Sequence, residues 1–280
     1  MKKRFKDAAR WDAKIRILKY FEYMQYQLCV FGNPVEHSLS PQLHLAFAKA
    51  CGLEVSFVKI KPELSGFRKA IINFKNNGGF GASVTAPFKQ EAFALSTQLT
   101  EAAQIAQSVN TLTFQGDNII GDNTDGIGLI NDIKNNLKYA LAGKKIMILG
   151  AGGATHGILP ALLKENPAVI YICNRTHSKS IALSAINHDL IIPVAETTVL
   201  SSCVDVLIDA TSVNAMIAPP KAITVSSNSL FYDLKYTPSN NTALEKWLFK
   251  RTFSRIADGY GMLREQAKAA FERWTGHVTP

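Results

Sequence analysis

Cysteine is scarce in this sequence, and the four that occur (Cys29, Cys51, Cys173, Cys203) are isolated, with no CxxC pair. That argues against a disulfide framework, a thiolate zinc site or any other metal site, and for a reducing compartment, the cytoplasm. Long apolar runs are missing too. The longest apolar-rich stretch, 146–163, is broken by Thr155, His156 and four glycines, so no membrane-spanning helix is expected. Charged residues amount to only 19% against 47% apolar, which rules out disorder as the main state. Internal repeats and low-complexity segments are absent.

Acid is the minority charge, and the net charge is +9. The excess is uneven. Residues 1–23 hold eight Lys or Arg against three acids, a net +5, which leaves +4 for the rest. A mildly basic body suits an anionic small ligand as well as a polynucleotide. The basic head reads as an extension, disordered or not native, that serves neither core nor active site. Its three acids count against a transit peptide, and it lacks the apolar core of a secretory signal. Trp11, Ile15, Leu18 and Phe21 would give it a weakly amphipathic helix. Met24, a second possible start, closely precedes the first strand-like run.

A chain of 280 residues is long enough for two domains. Strands are expected at 27–31, 55–60, 81–85, 109–114 and 119–121. Helices are expected to open at Ser40-Pro41, with Ser40 as N-cap and proline at the first helical position, and to cover about 64–77, 101–107 and 124–137. In the second half an apolar strand over 144–149 runs straight into Gly150-Ala151-Gly152-Gly153-Ala154. Further strands fit 169–173, 204–209 and 230–234, and a C-terminal helix fits 262–274. Such alternation of strand and helix predicts a parallel sheet and an α/β fold.

A glycine turn between strand and helix lets backbone approach a pyrophosphate, and the helix start supplies free N–H groups. The fingerprint is imperfect, because Thr155 holds its third glycine position, and a ligand-free tight turn is the plain alternative. One further absence sharpens it. The end of the next strand lacks the acid that reads a free ribose 2′-hydroxyl, and offers Asn174, Arg175, Thr176 and Lys179 instead. Two cations there predict the 2′-phosphate of NADP.

Four polar clusters precede Gly150: His37-Ser38-Leu39-Ser40-Pro41, Ser83–Lys89, Ser108–Thr111 and Asp122–Gly126. Each sits at a strand end or helix start, where α/β enzymes place ligand groups. Taken singly, each is better explained as a cap, a strand end or an exposed lysine, and no spacing links them.

Together the motifs HSLSP, SVTAPFK, SVNT, GDNTDGIGL, GAGGA, CNRTHSK, DATS and ADGYGMLREQA, in this order from about Gln27 to Gly276, resemble shikimate dehydrogenases. The resemblance implies an N-terminal α/β substrate-binding domain (24–124 with 260–280) and a Rossmann-type NADP-binding domain (125–259), with the active site between them. It implies reversible NADPH-dependent reduction of 3-dehydroshikimate to shikimate, a step of chorismate and aromatic amino acid biosynthesis. Lys89 and Asp125 match the catalytic pair. Ser38, Ser40, Thr85, Asn110, Asp125, Tyr236 and Gln266 match substrate contacts. Leu234 and Gly259 match positions beside the nicotinamide, and Glu101 a position near the cofactor cleft. Gly150 to Ala154, Asn174, Arg175, Thr176 and Lys179 complete the cofactor set. Small-molecule ligands are the expected partners, rather than nucleic acid or membrane, and a homodimer is left open.

The sequence departs from the family pattern in places. Ser83 stands for the usual Asn, Leu45 for a polar residue, His156 for an Arg after the glycine turn, Asp209 for Asn before Ala210-Thr211-Ser212, and Asn214 near a glycine. Two rival readings remain at this stage. One is a quinate/shikimate dehydrogenase using NAD, which would want an acid near Arg175. The other is a nucleotide-sensing or nucleic-acid-binding protein built on a dinucleotide fold.

Overall fold

The computed structural model describes residues 26–187, 189–211, 222–236 and 255–279. The basic head, Met24 and Asn214 lie outside the described residues.

Two six-stranded sheets organise the chain. The first is built from β1 (Tyr26–Phe31), β2 (Val55–Ile60), β3 (Gly81–Val84), β4 (Gln98–Leu99), β5 (Thr111–Gln115) and β6 (Asn118–Asp122). Its strand order is β2-β1-β3-β5-β6-β4. The sheet is mixed rather than parallel, because β5 runs antiparallel to both β3 and β6. The cause is local. Only Gly116 and Asp117 separate β5 from β6, and Gly116 adopts a φ of 55°, which forces a tight hairpin. Helices α1 (Ser40–Cys51), α2 (Phe67–Asn76), α3 (Lys89–Leu95) and α4 (Glu101–Ala106) belong to this half. The apolar alternation of β1, β3 and β5 buries Cys29, Phe31, Ala82, Val84 and Leu112 with Phe67 and Ile71 of α2.

A short helix, α5 (Asp125–Asn131), leads out and widens into a π-helical turn over Asp132–Asn136. The expected regular helix over 124–137 is therefore two pieces, closed by Leu137 N–H on the Asp132 carbonyl at 2.9 Å.

The second sheet is wholly parallel. Its strands are β7 (Lys145–Leu149), β8 (Val169–Cys173), β9 (Ile191–Val194), β10 (Val199–Asp209), β11 (Ala222–Asp233) and β12 (Arg255–Ala257), in the order β12-β11-β10-β7-β8-β9. Helices α6 (Gly153–Lys164) and α7 (His177–Ser184) follow β7 and β8. Isoleucines of β7, β8 and β10 bury against Ile158, Leu159 and Leu162 of α6. The strand order reverses beside β7, so ligand is expected outside the carboxyl ends of β7 and β10.

The last helix, α8 (Tyr260–Thr275), returns to the first sheet, as the sequence suggests. Trp274 Nε1 donates to the Leu112 carbonyl at 3.0 Å, and Arg273 pairs with the Asp122 carboxylate of β6 at 2.6 Å. Ala267 and Phe271 pack on Leu43 and Phe47 of α1.

Candidate active site

The ends of these elements meet in a cleft of about 290 Å³. The first half contributes Ser38, Ser40, Ser83, Thr85, Lys89, Asn110 and Asp125 to its lining; Ala154, Leu234, Tyr236 and Gly259 come from the second, and Gln266 from α8.

Lys89 and Asp125 are each the first residue of a helix, α3 and α5. Lys89 Nζ lies 2.5 Å from Asp125 Oδ2, and both side chains are mostly buried. The other oxygen, Oδ1, accepts from Asn110 Nδ2 at 2.8 Å. Asn123 Oδ1 accepts the Asp125 backbone N–H at 3.1 Å, which ties down the start of α5. The carboxylate is thus held on both oxygens and on its backbone, and it aims the ammonium into the cleft.

Asn110 is the hub. Its Oδ1 accepts from Thr124 N at 2.9 Å and from Thr111 Oγ1 at 2.8 Å. Its Nδ2 also lies 3.2 Å from Gln266 Oε1, which takes the Thr124 hydroxyl as well. Gln266 therefore joins α8 to the start of α5. Asn123 and Thr124 were not singled out from the sequence. Their signal was the run Asp122–Asp125, whose first acid is taken by Arg273 and whose last pairs with Lys89.

At the α1 end the N-cap expectation needs correcting. Ser40 is already helical, and the residue before it is Leu39. The Ser40 N–H donates to Ser38 Oγ at 3.3 Å, so Ser38 supplies the local turn. Both hydroxyls stay within 3.2 Å of each other beside a helix start, which suits an anion. Across the cleft, Tyr236 lies by the Leu39 backbone, which acts on its phenol. Burial pushes its phenol pKa up, and the Leu39 backbone partly offsets the rise.

The glycine turn fits a dinucleotide. Gly150 has a φ of 105°, and a Cβ there would sit 2.9 Å from the Ala210 carbonyl oxygen, so glycine is needed. Gly152 and Gly153, at the start of α6, face open space that a side chain would fill. Thr155, in the third fingerprint position, is fully buried and bonds the Gly150 carbonyl at 2.8 Å, which braces the turn. Asn174 Oδ1 accepts the Ala151 N–H at 3.2 Å and couples the turn to the end of β8. Beyond it, Arg175, Thr176 and Lys179 are exposed.

Two positions fall elsewhere than expected. Glu101 is exposed and lies 3.9 Å from Lys164, in the last turn of α6. It is therefore at the opposite end of that helix from the glycine turn, because the helix spans twelve residues. Burial holds the His156 pKa below the usual histidine value, with the Ala106 backbone at the end of α4 acting the other way, so its imidazole is turned toward the first half of the chain. Ser83 lines the cleft, whereas Leu45 is exposed on α1.

A profile for the shikimate dehydrogenase substrate-binding domain matches residues 30–112, and one for shikimate/quinate 5-dehydrogenase matches 132–236. A shikimate dehydrogenase (NADP+) of Ruthia magnifica subsp. Calyptogena magnifica is 44% identical over 260 residues, covering 90% of this chain and 94% of its own. The chain belongs to the shikimate dehydrogenase family. Solved structures of similar shape include an Ael1 enzyme from Pseudomonas putida, 33% identical with a TM-score of 0.82 over 91% of this chain and 95% of its own. The shikimate 5-dehydrogenase of Thermus thermophilus, solved with NADP(H) and shikimate, is 26% identical with a TM-score of 0.79, covering 91% and 95%.

Proposed function

We infer that this protein is an NADP-dependent shikimate dehydrogenase, which reversibly reduces 3-dehydroshikimate to shikimate in aromatic amino acid biosynthesis. The observation that carries the reading is Lys89, paired at 2.5 Å with an Asp125 whose other oxygen is held by Asn110, in a cleft closed on its far side by Leu234 and Gly259.

Bound NADPH supplies the hydride. The residues of the chain do the rest. Lys89 Nζ donates a proton to the carbonyl oxygen as it becomes a hydroxyl, and takes it back in the oxidation direction. Asp125 orients the ammonium and accepts from a neighbouring hydroxyl. Ser38 and Ser40, beside the α1 N-terminus, bind the ring carboxylate, with Tyr236 reaching it from across the cleft. Thr85, Asn110 and Gln266 mix donors and acceptors for the hydroxyls. Gly150 to Ala154 hold the pyrophosphate. Asn174, Arg175, Thr176 and Lys179 hold the 2′-phosphate, because a guanidinium fork matches it bidentately. Leu234 and Gly259 flank the nicotinamide.

On this reading 24–124 with 260–280 bind substrate and 125–259 bind cofactor. The four cysteines are unpaired, which supports a cytoplasmic site of action. No helix among the described residues is long and apolar enough to cross a membrane. The test is a panel of initial rates with shikimate or quinate and NADP or NAD. The shikimate–NADP pair should be fastest. A preference for quinate with NAD would replace this reading by its nearest rival.

A further inference from the structure

The carboxyl ends of β10 and β11 set two acids side by side. Asp209 and Asp233 are partners in the parallel register. Like charges facing each other on neighbouring strands repel, and more so where water is scarce. Asp209 is only 3% exposed. Lys235 lies between them, its Nζ 2.5 Å from Asp209 Oδ2 and 3.0 Å from Asp233 Oδ1, with 16% of its side chain exposed. The remaining bonds are also used. Asp209 Oδ1 accepts from the Thr211 hydroxyl at 2.6 Å and from its N–H at 2.9 Å. Asp233 Oδ1 accepts the Lys235 N–H at 2.9 Å.

The neighbours of Lys235 face the other way. Leu234 and Tyr236 line the cleft, whereas Lys235 does not. The same stretch is pinned through its backbone. Leu234 N–H donates to the Asp209 carbonyl at 3.0 Å, and Gly259 N–H to the Lys235 carbonyl at 2.9 Å. The fit is close, since a Cβ at Gly259 would fall 2.1 Å from the Leu234 carbonyl oxygen.

We propose that Lys235 is a positioning residue: by neutralising the facing Asp209 and Asp233 it fixes residues 234–236, so that Leu234 and Tyr236 hold nicotinamide and substrate in register with Lys89. The proposal rests on the dehydrogenase reading above. It also accounts for Asp209. An acid at that position is acceptable in this chain because a lysine two residues past the end of β11 reaches it.

The consequence is an asymmetric pattern among variants. Lys235→Met leaves a buried acid opposed to a half-buried one and should lower kcat/KM for shikimate roughly ten- to hundredfold, the scale of a small misplacement near the reacting atoms. Asp209→Asn alone keeps the Lys235–Asp233 pair and should cost little. Asp209→Asn added to Lys235→Met removes the repulsion and should recover most of the loss. Binding of adenosine 2′,5′-bisphosphate, which probes the far end of the cofactor site, should stay within about twofold throughout.

Steady-state kinetics and bisphosphate titration of wild type and the three variants decide it. A wild type without shikimate–NADP activity would overturn the functional reading and this inference with it. An active wild type beside an equally active Lys235→Met, or a double variant no better than Lys235→Met, overturns this inference alone. Loss of bisphosphate binding along with activity would make Lys235 a general folding residue and also overturn it.

Discussion

Arg175 and His44 show how differently single polar residues are used. Arg175 is exposed beyond β8, within reach of a ligand on the Asn174-braced turn. Arg175→Ala should raise KM for NADP roughly tenfold, the scale of one charge-assisted hydrogen bond, and leave KM for NAD nearly unchanged. Equal losses with both cofactors in initial-rate assays would assign Arg175 another task. His44 is fully buried, stacked on Phe57 at 4.7 Å, and neither ring nitrogen has a hydrogen-bond partner. Burial pushes its pKa down to about 3. The unfolded chain therefore binds a proton that the folded one refuses between that value and about 6.5. Stability falls as pH drops below about 6.5, on the order of 1.4 kcal/mol per pH unit from this residue. Thermal melts from neutral to mildly acid pH should show it, and His44→Phe should flatten the acid limb. At this scale the sequence marked the polar runs, and only the family resemblance picked single side chains out of them. Lys89, Asp125 and Asn110 stand in short polar runs at element ends. Asn123 and Thr124 were hidden because their work is to fix a backbone, which residue type alone does not announce. Glu101 was carried over by resemblance alone, and nothing in its own residue type says which end of α6 it meets.

Helix packing depends on close approach. A Cβ at Gly128 of α5 would fall 2.7 Å from the Gln266 Cβ and 2.8 Å from its backbone nitrogen on α8. Gly128→Ala should therefore push the helices apart, at a cost of roughly 1–3 kcal/mol in urea unfolding. It should also raise KM for shikimate, because Gln266 and Asp125 sit on the two displaced helices. An unchanged KM would show that Gln266 does not bind substrate. Strands β2 and β8 could be read to the residue from their apolar runs, whereas β10 and β11 begin well before the expected 204–209 and 230–234. Two short helices could not be read. Helices α3 and α7 span seven and eight residues and bury too narrow a stripe to show a period. Strand β4 has only two residues, and its identity depends on pairing with β6. The hairpin between β5 and β6 carried a readable signal in Gly116-Asp117, and it is what makes the first sheet mixed.

Across the whole molecule, chemistry is divided between two sheets that meet at the cleft. On the proposed reading the first would bring the general acid and most substrate groups and the second the cofactor groups, with Gln266 of α8 lining the cleft between them. Contacts already cross that boundary, with Tyr236 lying by the Leu39 backbone and His156 by the Ala106 backbone. Closure on bound ligands would expel water from around Lys89 and strengthen its pairing with the developing alkoxide. The whole account turns on that lysine. The most direct measurement is kcat for NADP reduction by shikimate in wild type and Lys89→Ala at neutral pH. The account predicts a fall of roughly 10²–10⁴-fold with a much smaller change in KM, as for loss of a general acid–base group. A Lys89→Ala enzyme turning over at near wild-type kcat would contradict it.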